Sequence, residues 1–241
     1  MRVLVIIAAY NEEENIENTV RHLKECCPSC DYLVVNDGST DSTESVCVRN
    51  GFEYVSLPTN LGIGGAIQTG YRYALQNGYD VAVQMDGDGQ HDPAYLETVL
   101  KPIAEGKADY VIGSRFVAKK GEGFQSSAAR RTGIRFLSGL IRLCCGVRIY
   151  DVTSGFRAVG RSCIAEFAAC YPTDYPEPEA IINAVLRGER LVEVPVVMKA
   201  REHGVSSINV GRSVYYMIKV SLDIVICRIG YGFRRKKESL R

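Results

Sequence analysis

Two aspartates one residue apart, Asp86 and Asp88 in the segment MDGDGQHDP, follow a strong, strand-length and mostly apolar run. A strand ending there would project both carboxylates from its carboxyl end toward one point. Oxygen donors of this kind suit Mg2+ or Mn2+ rather than zinc, and such an ion completes its shell with water and phosphate oxygens. The expected chemistry is a cation held against a phosphate-bearing ligand. Asp-Gly is also a common turn former, so the pair carries weight only through the loops around it. Residues 36–41, Asn-Asp-Gly-Ser-Thr-Asp, end a second apolar run; Asp37 would accept hydrogen bonds from a base or ribose, while Ser39, Thr40 or Asp41 would cap a helix. Leu61-Gly62-Ile63-Gly64-Gly65 lacks the full dinucleotide fingerprint, but Gly64 would let the backbone approach a ligand closely. There is no P-loop sequence.

These residues need elements to hold them. Strand-length apolar runs occur at residues 3–8, 32–35, 54–57, 81–85, 110–112 and 191–197. Helical periodicity covers residues 14–26, through Ile16, Val20 and Leu23, and residues 63–76, through Ile67, Tyr71 and Ala74. It also covers residues 93–105, where Asp92-Pro93 makes a good cap and first position. Strands alternating with helices predict an α/β fold with a mainly parallel, doubly wound sheet. In such sheets the ligand sits beyond the carboxyl ends of the strands, here loops 9–13, 36–40, 86–92 and 113–115. The polar, glycine-containing residues 118–127 are expected to form a lid over that edge.

Composition removes some alternatives. A net charge of +1 gives no global field for nucleic acid. Nine cysteines in irregular spacing, with Cys26, Cys27 and Cys30 lacking a second metal-binding pair, predict reduced and mostly buried thiols. The first apolar run is too short for a secretory signal. Residues 207–233 are apolar, yet Arg212, Lys219 and Asp223 share one helical face, which predicts an amphipathic helix and not a membrane span. With Tyr215, Tyr216, Tyr231 and the run Arg234-Arg235-Lys236-Lys237, that helix suits an anionic membrane surface; packing on the domain or on a second copy, as a homodimer, is the other expectation.

The ordered segments AYNE, VVNDGSTD, NLGIGGA, MDGDGQHDP, GSR and DVTSGFR resemble those of family 2 inverting glycosyltransferases of GT-A fold. The dolichol-phosphate mannose synthase-like, or polyprenyl-phosphate, branch is the most similar, over roughly residues 1–210. The resemblance implies a Rossmann-like domain at residues 1–210 followed by an amphipathic helix and basic tail at 211–241. It implies that Tyr10, Asn11, Glu12 and Asp37 hold the nucleoside of a GDP- or UDP-sugar. Asp86 and Asp88 would hold Mn2+ or Mg2+ at the diphosphate, with Gln90 beside them and Arg201 over the donor phosphates. Arg115 and Arg131 resemble arginines that receive the phosphate of a lipid acceptor, a task suited to a bidentate guanidinium. DVTSGFR (Asp151 to Arg157) would shape the acceptor side. Ala8 stands where the family usually has proline, and Ser207 where a lysine often follows the serine.

A polyprenyl phosphate is already an anion and needs no strong base, whereas a glycan hydroxyl does. For that second acceptor the expected base is Glu177 or Glu179 in DYPEPE, residues 174–179. A nucleotidyltransferase would need a glycine- and lysine-rich first loop, and AAYNEEEN is acidic. A non-catalytic nucleotide-sugar binder is the remaining alternative. The location implied is cytoplasmic, peripheral on the cytoplasmic face of the membrane.

Overall fold

The computed structural model describes residues 1–117, 128–199 and 210–238. In chain order the elements are β1 (Val3–Ala9), α1 (Ile16–Cys26), β2 (Asp31–Asn36), α2 (Thr43–Asn50), β3 (Tyr54–Ser56), α3 (Gly62–Gln76), β4 (Val81–Asp86), α4 (Leu96–Ala104), β5 (Tyr110–Ser114), α5 (Ala128–Cys145), β6 (Arg157–Gly160), α6 (Arg161–Ala169), α7 (Pro176–Arg187), β7 (Leu191–Pro195) and α8 (Val210–Glu238). A 3-10 turn at Pro93–Tyr95 leads into α4, and Asp92 caps it by accepting from the Ala94 N–H at 3.1 Å.

The strands form one sheet in the order β3-β2-β1-β4-β6-β5-β7, parallel except for β6, which runs against both β4 and β5. Every residue of β1 and the first five of β4 are buried, as expected for strands covered on both faces. One core, around Ile6, Ile67, Tyr71 and Phe167, lies on one face of the sheet; a second, around Ile7, Val20, Val83 and Phe156, lies on the other. The α/β fold with a mainly parallel sheet is therefore as the sequence predicts. β6 was not expected, because Arg157–Gly160 is a short segment that opens with an arginine. It inserts between β4 and β5 while leaving those two strands parallel, so the loops after β1, β2, β4 and β5 all leave the same edge.

Two local expectations are corrected. The residue that precedes α2 is Ser42, not Ser39, Thr40 or Asp41, and it makes no side-chain cap bond; Asp41 accepts from the Thr43 N–H at 2.9 Å instead. Cys27 and Cys30 form a disulfide rather than free thiols, because a turn closed by the Cys30 N–H on the Cys27 carbonyl brings their Cα atoms to 5.5 Å. Seven cysteines remain free, and only Cys47 and Cys163 are fully buried. The expected lid, residues 118–127, lies outside the described residues.

The C-terminal helix packs on α5 and α7, and its Lys219 bonds Asp174 at 2.8 Å. It runs parallel to α5: Gly133 meets Met217, and eleven residues further along both helices Arg228 Nε donates to the Cys144 carbonyl at 2.8 Å. Among the described residues no helix is long and apolar enough to cross a membrane.

Candidate active site

The first two loops are stitched together. Asn11, in the left-handed region at φ 56°, lets its Oδ1 accept from the Thr40 N–H at 2.8 Å, and its own N–H donates to Ser39 Oγ. Asparagine tolerates that backbone better than most residues. The Glu12 N–H donates to Thr43 Oγ1, and its buried carboxylate accepts from Asn15 Nδ2 at 2.7 Å. Asn11 is thus a brace between loops, while Tyr10 stands exposed beside them. Asp37 follows, its N–H on the Ala9 carbonyl and its Oδ1 accepting from the Leu61 N–H at 2.7 Å. Burial raises the Asp37 pKa, and the backbone N–H groups of Leu61 and Gly62 oppose the rise. The carboxylate is buried with its loop and linked to the start of α3.

Gly64 packs closely against another segment of the chain. A Cβ there would lie 2.0 Å from the Pro172 carbonyl oxygen, and the Gly64 N–H donates to Thr173. The close approach is to the chain itself, between α3 and the segment before α7.

Asp86 ends β4. Its N–H donates to His91 Nδ1 at 3.0 Å, so that nitrogen carries no proton and the other, Nε2, lies 3.7 Å from Asp86 Oδ2. His91 is buried and stacks on Phe156 with ring centroids 5.2 Å apart. Burial, with help from Arg115 and opposed by Asp88, holds the His91 pKa at about 4. The imidazole is neutral near pH 7 and orients the Asp86 carboxylate. Gly155 of TSGFR closes over it: a Cβ there would lie 3.3 Å from Asp86 Oδ2 and 3.2 Å from His91 Cε1. Gly87 is pinned to the Ala8 carbonyl, and buried Asp88 accepts from the Gln90 N–H at 3.0 Å. Gln90 and His91 pair with Lys199 and Met198, which lead toward residues 200–209. Arg201 lies outside the described residues.

On the other flank Arg115 meets Asp151. Its Nε and Nη2 donate to the two carboxylate oxygens at 2.7 and 2.6 Å, and Nη2 also reaches Thr153. Burial works against the guanidinium's charge, but Asp151 outweighs it and the pKa is raised. The fork expected to receive a phosphate thus grips a carboxylate of its own chain, and Arg115 braces β5 to DVTSGFR. Arg130, the neighbour of the expected Arg131, acts electrostatically with Arg115, Asp151, Tyr216 and Glu177; burial and Arg115 lower its pKa. The signal was present in the sequence, since Arg130 falls in step with Ile134, Leu137 and Ile141, the buried face of α5.

Glu177 and Glu179 part company in the first turn of α7. Burial raises the Glu177 pKa, Arg157 opposes the rise and Asp86 adds to it. Fully buried Arg157 fixes the spot: it donates to the Glu177 carbonyl at 2.8 Å, to the Ser154 carbonyl at 2.6 Å and to the Tyr110 hydroxyl. Glu179 instead faces α8, beside Asp223, Lys219 and Cys227. The structure brings Glu177 toward Asp86 and leaves Glu179 on a helix interface.

A parallel sheet with an inserted antiparallel strand and acidic loops at its carboxyl edge defines an α/β fold of GT-A type. Solved structures of glucosyl-3-phosphoglycerate synthase from Mycobacterium tuberculosis share it. One, in complex with UDP, superposes with a TM-score of 0.72 at 20% identity, covering 95% of this chain and 80% of that one. Another, with Mn2+, UDP-glucose and phosphoglyceric acid, has a TM-score of 0.69 at 19% identity, covering 95% and 79%. The family model "Glycosyl transferase family 2" matches residues 4–167, and the chain belongs to that family. An undecaprenyl-phosphate mannosyltransferase of Micrococcus luteus is 34% identical over 88% of this chain and 89% of its own length. A polyprenol monophosphomannose synthase of Mycolicibacterium smegmatis is 32% identical over 91% and 86%.

Proposed function

We propose that the chain transfers a sugar, with inversion, from a GDP- or UDP-sugar to a polyprenyl phosphate. The observation that carries this reading is the position of Asp86, with the Asn11–Asp37 loops on one side and the basic pair Arg115 and Arg130 on the other. The two relatives above, whose names state polyprenyl-phosphate chemistry, support it. Tyr10, Glu12 and Asp37 would hold the nucleoside. Among the described residues no three His, Cys, Asp or Glu side chains converge, so Asp86 and Asp88 would supply part of a shell. Mg2+ and Mn2+ accept such a shell, keeping waters and substrate phosphates alongside one or two carboxylates. Such an ion would neutralise the charge that develops on the departing diphosphate. His91 and Gly155 hold the Asp86 carboxylate in place, and Arg130 would receive the acceptor phosphate while Arg115 keeps that side rigid. The acceptor oxygen is already anionic, so attack on the anomeric carbon needs no proton transfer.

The work would be done at residues 1–210 on the cytoplasmic face of a membrane, with 211–241 as an appended helix and tail. Incubation with Mn2+, GDP- and UDP-sugars and polyprenyl phosphate should yield a lipid-linked sugar; no product from any donor would sink the reading. A second acceptor, a glycan hydroxyl, draws support from the raised pKa of Glu177 close to Asp86. Glu177→Gln separates the two, abolishing transfer to a hydroxyl and sparing transfer to a phosphate.

A further inference from the structure

The helix α1 ends in a stapled turn. The Cys27 N–H closes the last turn on the Leu23 carbonyl at 2.8 Å, and Pro28 cannot continue the helix. The Cys30 N–H then bonds the Cys27 carbonyl at 3.1 Å, and the two sulfurs are joined. Both cysteines are half-buried, with Pro28 and Ser29 exposed between them. The staple lines a cleft of about 530 Å³, with Lys24, Tyr32, Tyr73 and Tyr79 as further walls. Tyr32 lies at the start of β2 and Tyr79 just before β4, so the cleft sits at the amino edge of the sheet, away from Asp86.

The helix that this turn closes reaches the site. Thr19 is buried, and its Oγ1 donates to the Gly87 carbonyl at 3.1 Å, between Asp86 and Asp88. One turn further on, His22 Nε2 lies 3.8 Å from Asp92 Oδ1. At the other end the Ile16 N–H and Asn15 Nδ2 both donate to Glu12. One helix therefore touches the nucleoside loop at its start, the acidic loop at its middle and the disulfide at its end. Helix ends open first, and a cross-link there removes freedom that the opened turn would regain. Two thiols at a helix C-terminus also meet the negative end of its dipole, which disfavours thiolates and so favours the closed bond. Partial burial, then Asp92 and Glu25, raise the pKa of the neighbouring free thiol of Cys26. Poor in thiolate, Cys26 does not open the bond, and the attacking thiol comes from outside.

We propose that Cys27–Cys30 is a thiol–disulfide exchange site for dithiols that enter the cleft, and that opening it slackens α1 and the loop 87–92, so that the donor is used less well. A thiolate of the dithiol attacks one sulfur; a mixed disulfide forms and the other cysteine leaves as a thiolate. The second thiol of the dithiol, deprotonated, then attacks the mixed disulfide and releases the first cysteine. The dithiol ends as a disulfide, and Cys27 and Cys30 end as two thiols, having gained two electrons and two protons. On the cytoplasmic face proposed above such a bond is transient and redox-sensing rather than structural. The effect on donor use rests on the sugar-transfer reading; the exchange and the response of the loop do not.

The test uses the full chain, folded, before and after treatment with dithiothreitol or thioredoxin. Alkylation with iodoacetamide and peptide mass spectrometry should find Cys27 and Cys30 blocked only after reduction; the faster of the two reductants identifies a small or a protein dithiol as the source. Amide hydrogen exchange should then quicken about fivefold or more at residues 20–30 and 86–92, with residues 110–114 unchanged. With Mn2+, GDP- and UDP-sugars and polyprenyl phosphate, reduction should raise the donor KM about fivefold, and reoxidation by glutathione disulfide should restore it. The variant Cys27→Ser/Cys30→Ser should match reduced wild type and ignore dithiothreitol. Alkylation of both cysteines without reductant overturns the proposal, as does a bond that both dithiols leave closed. So does unchanged exchange at residues 86–92, an unchanged donor KM, or a variant that still responds to dithiothreitol, which would move the effect to another cysteine. Exchange that quickens as expected, with no turnover of any donor in either state, overturns the sugar-transfer reading and leaves the exchange site and its hold on the loop standing.

Discussion

Around Asp86 polar groups are tied to one another, Glu12 to Asn15, Asp37 to Leu61 and His91 to Asp86 in buried positions and Asn11 to Thr40 at the surface. Along α5 and α8 the outward positions are the reverse, with Leu143 and Ile226 in solvent and a large excess of basic residues. The strand-end loops are rigid before anything binds, as a site that must hold charge in fixed geometry requires. The helical layer offers apolar side chains and a net positive charge. Recognition by shape and recognition by bulk chemistry thus occupy separate parts of one chain, and they should fail separately.

The sharpest way to break that separation is Asp88→Asn. Transfer should fall by about 10²–10³-fold, and Mn2+ affinity, read by electron paramagnetic resonance of the free ion, should drop with it. Vesicle binding should not change; if it does, the two regions are coupled. Next in size is the pH dependence of the loops. His91 has its folded pKa held at about 4 against an ordinary 6.5, so the unfolded chain takes up a proton first as pH falls. In metal-free buffer, stability present above pH 6.5 should therefore be lost toward pH 4, by about 2–3 kcal/mol at roughly 1.4 kcal/mol per pKa unit. Urea melts should show this slope, and His91→Gln should flatten it; a wild-type curve level across that window would contradict the buried neutral imidazole.

Arg130→Ala tests the seam between the regions. Losing one charge-assisted contact should raise KM for the lipid phosphate by an amount worth about 1.5–3 kcal/mol, with the donor KM unmoved. A donor KM that rises as far as the acceptor KM would overturn that assignment. The smallest effect belongs to Glu177→Gln. A carboxyl with a raised folded pKa holds its proton longer than in the unfolded chain, so it loses stability as pH rises above its ordinary 4.5. The variant should melt about 2–4 °C higher at neutral pH, for a gain of about 1 kcal/mol, and no higher at pH 4.

The sheet was legible because β1, β2 and β4 each carry an apolar run of strand length bounded by polar residues. What escaped was short or depended on tertiary partners. The strand β6 spans Arg157–Gly160, and its arginine is buried only because Tyr110, Ser154 and Glu177 meet it. No helical period marks residues 174–179, yet they contain the start of α7, since Pro176 is tolerated in a first helical turn. The loop residues were found by type, but the bonds of Asn11 to Thr40 and of Arg115 to Asp151 depend on partners distant in the sequence. Arg130 and Arg131 could be told apart only once the phase of α5 was fixed by Ile134 and Leu137.

The parallel run of α5 and α8 also has an electrostatic consequence. Aligned peptide dipoles leave about half a positive charge at each helix N-terminus, and here two neighbouring helices end level with each other on the side of Arg130. Antiparallel neighbours would cancel these fields; parallel ones add them. The resulting potential comes from the backbone, so neither pH nor any single side-chain replacement can switch it off. Only a change in the direction of a helix would.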